Sequence, residues 1–196
     1  MFIWGSIIAF GFSIILEGFS LYFISNYLVL IVILVPIVEE ISKAFGLCIV
    51  KHQILKFEDG IFLGVFSGIG FVTTENLLYG GMLSNEGSIT ILSLFLITTI
   101  GRTLLHVSAT ALTGYGYSKK IIRHRKLIAI LPYISFSIGI HAIYNLLALS
   151  ELVTIQILGV SISILFTLVL VIFIRKNIRL FDKKLASESS ALIKIH

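Results

Sequence analysis

The stretch Leu28 to Val50 reads LVLIVILVPIVEEISKAFGLCIV. It is apolar over a length that crosses a bilayer as a helix, for which about 20 residues suffice, yet Glu39, Glu40 and Lys43 stand in its middle. A charge at a bilayer centre costs roughly 2.5–3.5 kcal/mol on insertion scales. Three ionisable groups so close together therefore demand partners or a task. All but two of the fifteen Lys and Arg residues lie between or beyond the apolar stretches, and the exceptions are Lys43 and Arg102.

Working outward, 57% hydrophobic residues, 13% charged residues and a mean hydropathy of +1.06 leave too little polar surface to coat a water-soluble globule. Six apolar stretches follow one another: Phe2 to Phe23, Leu28 to Val50, Phe57 to Tyr79, Ile89 to Tyr115, Leu127 to Leu149 and Leu152 to Ile174. They are continuous, whereas barrel strands would alternate in polarity over about ten residues. The predicted fold is all-α, a polytopic membrane helical bundle of about six transmembrane helices. Residues 1–196 read as a single membrane-embedded domain, without linker, repeat or low-complexity tract. No basic region precedes the first stretch, so it is expected to remain as a span rather than act as a cleaved signal. The one cysteine, Cys48, has no partner for an internal disulfide.

A net charge of +5 and a pI near 9.4 do not point to nucleic acid, because the basic residues follow topology. Lys51 and Lys56 fall in the second loop and Lys119, Lys120, Arg123, Arg125 and Lys126 in the fourth. The tail, residues 175–196, carries Arg175, Lys176, Arg179, Lys183, Lys184 and Lys194, while the odd loops carry only Glu86 and Glu151. The positive-inside rule then places both termini and the even loops in the cytoplasm, N-in and C-in. The expected setting is a multi-pass protein of a prokaryotic plasma membrane. Gly60, Gly64 and Gly68 give the third span a face for close helix approach and predict a central position for it. Gly114 and Gly116 fit a helix end, Pro36 is expected to kink its helix or free a carbonyl near the acidic pair, and Glu17 reads as interfacial.

Four spans contribute groups that lipid would reject. Glu39 and Glu40 stand four and three residues before Lys43, Glu75 is followed by Asn76, Arg102 is four before His106, and His141 is four before Asn145. Side chains four apart share one helix face, and a polar face turns away from acyl chains. Four such faces make a polar cavity. A structural ion pair with Lys43 needs one carboxylate, so the second one marks chemistry, such as a general base for water. Depth along each helix predicts that the cavity opens to the extracytoplasmic side.

In order along the chain, Glu39-Glu40-x-x-Lys43, Phe71-x-x-x-Glu75-Asn76, Arg102-x-x-x-His106 and His141-x-x-x-Asn145 resemble the motifs of the PrsW family of intramembrane proteases. That family is grouped with the CAAX-prenyl endopeptidases and bacteriocin-processing proteins in a superfamily of glutamate-dependent membrane proteases. The resemblance implies hydrolysis of a peptide bond in a membrane-anchored protein or peptide. Glu39 and Glu40 with His106 would activate water, and His141 and Asn145 would stabilise the oxyanion. Lys43, Phe71, Glu75, Asn76 and Arg102 would support them. The partners implied are that substrate and the lipid bilayer.

No cofactor is required on this reading, but zinc is the close alternative, with Glu39, Glu75, His106 and His141 as ligands. The helical His-Glu-x-x-His arrangement of many zinc peptidases is absent. A proton-coupled transporter using the same Glu and His groups as relays, and a non-catalytic membrane scaffold, are the readings from other classes.

Overall fold

A computed structural model describes residues 1–83 and 89–193, so Glu86 and Lys194 of the charge pattern lie outside the described residues. The described residues are mostly helical, with no strand among them. Helix α1, Trp4–Ser20, is short and apolar, and its first turns, Trp4–Ala9, are wound as π-helix. A continuous helical run over 27–49, α2, follows a cap in which the Asn26 side chain accepts from the Val29 N–H. Four further helices are long and apolar enough to cross a membrane. They lie within α3, Phe57–Leu83, α4, Ile89–Ile122, α5, 127–148, and α6, Val153–Ile193.

Pro36 shapes α2 without breaking it. The run winds as π-helix over Leu30–Leu34 and returns to α-helix at Val35–Ile49, with the proline in the first turn of that segment. In a π-turn the N–H of residue i reaches the carbonyl of i−5, as Val35 N–H does to Leu30. Pro36 has no N–H to offer the next acceptor, Ile31. That carbonyl instead accepts from Asn145 Nδ2 of α5, at 3.1 Å. The expected freed carbonyl exists, and a site residue occupies it.

The glycine row of α3 works as expected. A Cβ on Gly60, Gly64 or Gly68 would strike the backbone of Gly114, Thr110 or His106, so α3 and α4 touch along their main chains. On its other side α3 meets α1 in the same manner, with Gly70 against the backbone of Phe2 and Gly5 against that of Ser67. This seats α3 between two neighbours. Gly114 and Gly116 do not end a helix: α4 runs on to Ile122, because Gly114 serves the contact with Gly60 and Gly116 makes room for the Tyr133 ring. The turn comes later, at His124, which takes a left-handed φ of 49°.

Leu105, Ala109 and Leu112 of α4, Tyr144 of α5 and Phe166 and Leu170 of α6 form one buried cluster. Outer faces remain apolar, with Ile7, Ile15, Leu168 and Ile172 exposed, a surface that suits acyl chains and not water. The basic segments gather at one end. Arg123 lies over the rings of Phe57 and Phe181, which joins the α4 turn to the start of α3 and the far part of α6. Met1 packs at the cluster of Leu47, Ile54, Tyr117 and Ile130.

Candidate active site

Four helices bring their polar faces together. Lys43 is 0% exposed and Glu40, His106 and His141 are no more than 2% exposed, while Glu39 and Glu75 keep 6% and 8%. Glu39, Glu40 and Lys43 come from the regular part of α2 just beyond Pro36, Glu75 from α3, His106 from α4 and His141 from α5.

Lys43 is the hub. Its Nζ lies 2.5 Å from Glu40 Oε1, 2.7 Å from His106 Nδ1 and 3.7 Å from Glu39 Oε2, and it sits 4.5 Å over the Phe71 ring. An ammonium only donates, so His106 Nδ1 accepts and the ring proton is assigned to Nε2. That nitrogen is 3.0 Å from Glu75 Oε2, but the oxygen has no aligned hydrogen bond. Phe71 stacks on the His106 ring, with centroids 5.5 Å apart and an interplanar angle of 25°. A long-range partner for Lys43 was not legible in its local spacing, which offered only Glu39 and Glu40.

His141 Nδ1 lies 3.1 Å from Glu40 Oε1. A carboxylate paired with Lys43 accepts, so Nδ1 donates and the lone pair of His141 is assigned to Nε2. That lone pair faces Glu39 Oε2 at 3.8 Å, and His106 Nδ1 is also 3.8 Å from the same oxygen. Glu39 Oε2 is buried and has no hydrogen-bond partner. Two acceptors thus confront each other with a gap between them, an arrangement that a water donating to both, or a cation, would satisfy.

The supporting residues form a second chain of contacts. Arg102 Nε lies 3.6 Å from Glu75 Oε1, its Nη1 donates to Asn76 Oδ1 at 2.9 Å, and Asn76 Nδ2 donates to Thr103 Oγ1 at 3.2 Å. The Arg102 guanidinium also covers the Tyr79 ring at 4.5 Å.

A cavity of about 270 Å³ opens in front of this network, lined among others by Glu39, Glu75, Arg102 and Asn145. Glu40, Lys43, His106 and His141 are not in its wall; they stand behind Glu39. Two lining residues were missed. Ser13 and Glu17 of α1 face the cavity, so Glu17 is not simply interfacial. The signal was present, since the two are four residues apart and share a face. Tyr27, Leu78 and Leu149 also line the cavity, placing its mouth at the start of α2 and the far ends of α3 and α5, away from the basic turns.

Glu39, His106 and His141 could hold a metal ion, each offering a ligand atom within 4.8 Å of the others. Two imidazoles and a carboxylate are a donor set that zinc takes at catalytic sites, and the unpartnered Glu39 Oε2 fits a ligand role. Glu75, expected as a fourth ligand, is not in this group and lies against the other edge of His106. An ion held through His106 Nδ1 competes with Lys43 for that lone pair.

No curated protein and no solved structure matches the chain. A family model described as PrsW family intramembrane metalloprotease matches residues 1–174. With the glutamate–histidine cluster seated among apolar helices, this makes the chain an integral membrane protein and a member of the PrsW family of intramembrane proteases.

Proposed function

We propose that the protein is a glutamate-dependent endopeptidase that hydrolyses a peptide bond of a membrane-anchored protein, with Glu39 as the base. The facing lone pairs of Glu39 Oε2 and His141 Nε2 carry this reading. A water donating one hydrogen to each is oriented toward the cavity that Glu39 lines. Its oxygen bonds to the scissile carbonyl carbon as Glu39 takes the proton; the C–N bond then breaks and the same proton passes to the leaving amine. Glu40, doubly engaged by Lys43 and His141, fixes the ring that shares the water.

Oxyanion stabilisation falls to groups in the cavity wall. Asn145 commits one amide hydrogen to Ile31 and keeps a second, and Arg102 stands in the same wall. His141, expected as an oxyanion donor, acts instead from behind through its ring nitrogens. The second reading is favoured by the triangle of Glu39, His106 and His141. A zinc-type ion bound there would polarise the scissile carbonyl and ease ionisation of the water.

Six membrane crossings with both termini in the cytoplasm complete the proposal, in a prokaryotic plasma membrane and within the wider superfamily of glutamate-dependent membrane proteases. Support comes from Met1, the turns before α3 and α5 and the far part of α6 meeting at one basic end. The test is Glu39→Gln in protein reconstituted with membrane-anchored substrates, expected to lower turnover by about 10²–10⁴-fold. Unchanged cleavage refutes the base. Metal content of the purified protein, together with activity after chelation, decides between the two readings.

A further inference from the structure

Ser13 and Glu17 have no task in the mechanism above, yet both line the cavity. Ser13 is 1% exposed and its Oγ has no hydrogen-bond partner, and Glu17 Oε1 is likewise buried and unpartnered. Buried acceptors are normally satisfied, so one left open in a cavity wall invites an incoming donor. Two open oxygens on one helix face, four residues apart, form a small acceptor site.

The charge around the cavity specifies the donor. Its wall carries the carboxylates of Glu17, Glu39 and Glu75 against a single cation, Arg102. Arg102 is held by Glu75, Asn76 and the Tyr79 ring. Lys43 is fully buried and engaged with Glu40 and His106. Among the described residues, no cation of the cavity wall is left for Glu17. An ammonium offers three donors and a guanidinium five, whereas a neutral or acidic side chain would leave the carboxylate uncompensated.

We propose that Ser13 and Glu17 form a substrate subsite that takes a cationic group, the side chain of a lysine or arginine or a free amino terminus, beside the bond to be cut. This rests on the protease reading and adds to it a class of substrate: segments with a positive charge near the extracytoplasmic boundary. Glu17 touches substrate here and selects it without acting on the reacting atoms.

The test measures binding and needs no turnover. The 196-residue chain in nanodiscs is titrated with three acetylated tripeptide amides, Leu-Lys-Leu, Leu-norleucine-Leu and Leu-Glu-Leu. The lysine peptide is expected to bind at least about tenfold more tightly than the norleucine isostere, a size of effect within reach of one charged pair. Glu17→Gln should reduce that preference to within about twofold, Ser13→Ala should reduce it partly, and Glu17→Asp should retain part of it. Unfolding of each variant at the wild-type temperature certifies the fold. Equal or undetectable binding of the three peptides by the wild type overturns the subsite, as does a Glu17→Gln variant that keeps the preference. Glu39→Gln removes one of the three wall carboxylates but leaves Glu17 in place, so it is expected to lose turnover and keep part of the lysine preference; failure of the proposed base and failure of the subsite are thus separate results.

Discussion

Replacing Lys43 by Met isolates the hub of the site. The ammonium makes two short charge-assisted contacts, to Glu40 at 2.5 Å and His106 at 2.7 Å, in a position with no solvent exposure. Hydrogen bonds to charged groups are worth about 1.5–3 kcal/mol each, so their joint loss amounts to roughly 3–6 kcal/mol. Removing one member of a buried pair costs about 3–5 kcal/mol by the independent measure of broken ion pairs, because the carboxylate stays behind uncompensated. The two routes agree. Glu40→Gln introduced together with Lys43→Met removes the stranded charge, so the double variant should be more stable than Lys43→Met alone by about 0.5–3 kcal/mol, the coupling range of contacting residues. Unfolding in mixed micelles by added dodecyl sulfate can be followed through the single tryptophan. Trp4 Nε1 donates to the Ser42 carbonyl at 3.1 Å, next to the perturbed residue. A Lys43→Met transition at the wild-type position, or no recovery in the double variant, would refute the assignment of Lys43 as the cation that holds the site together.

Two further outcomes follow from the geometry. Asn145→Leu removes the donor to the Ile31 carbonyl and strands that acceptor, which should destabilise by about 1–3 kcal/mol and lower turnover more than substrate binding; a variant with wild-type stability and rate contradicts both roles. Leu149→Cys, at the cavity mouth, should react with a membrane-impermeant thiol reagent added from outside oriented vesicles, in a Cys48→Ser background, and labelling from the cytoplasmic face alone would invert the proposed orientation.

The apolar runs and the polar pairs were legible because both depend on local spacing. Glu39 with Lys43, Arg102 with His106 and His141 with Asn145 each advertise a shared helix face, Glu75 with Asn76 marks a fourth span, and four faces that reject lipid have few places to go except toward each other. What stayed hidden depends on partners distant in the chain. His106 as acceptor for Lys43 is set by how α4 lies on α2, and Asn145 reaches a carbonyl left vacant where a π-turn meets Pro36, which has no N–H. Gly114 and Gly116 looked like a helix end because glycine also terminates helices; only the opposing backbone of Gly60 and ring of Tyr133 distinguish clearance from termination. Ser13 escaped notice because a serine in an apolar helix commonly bonds back to its own turn, and here it does not.

Main chain pressed on main chain leaves no side chains to flex, and α3 is clamped in that way on both flanks. Seams of this kind behave as a stiff keel: they hold His106 and Glu75 in fixed register and cannot part without losing contact altogether. Room for the polypeptide of the proposed reaction must therefore come from the helices facing α3 across the cavity, where Tyr27 and Leu149 rim the opening and can swing aside while the keel stays put.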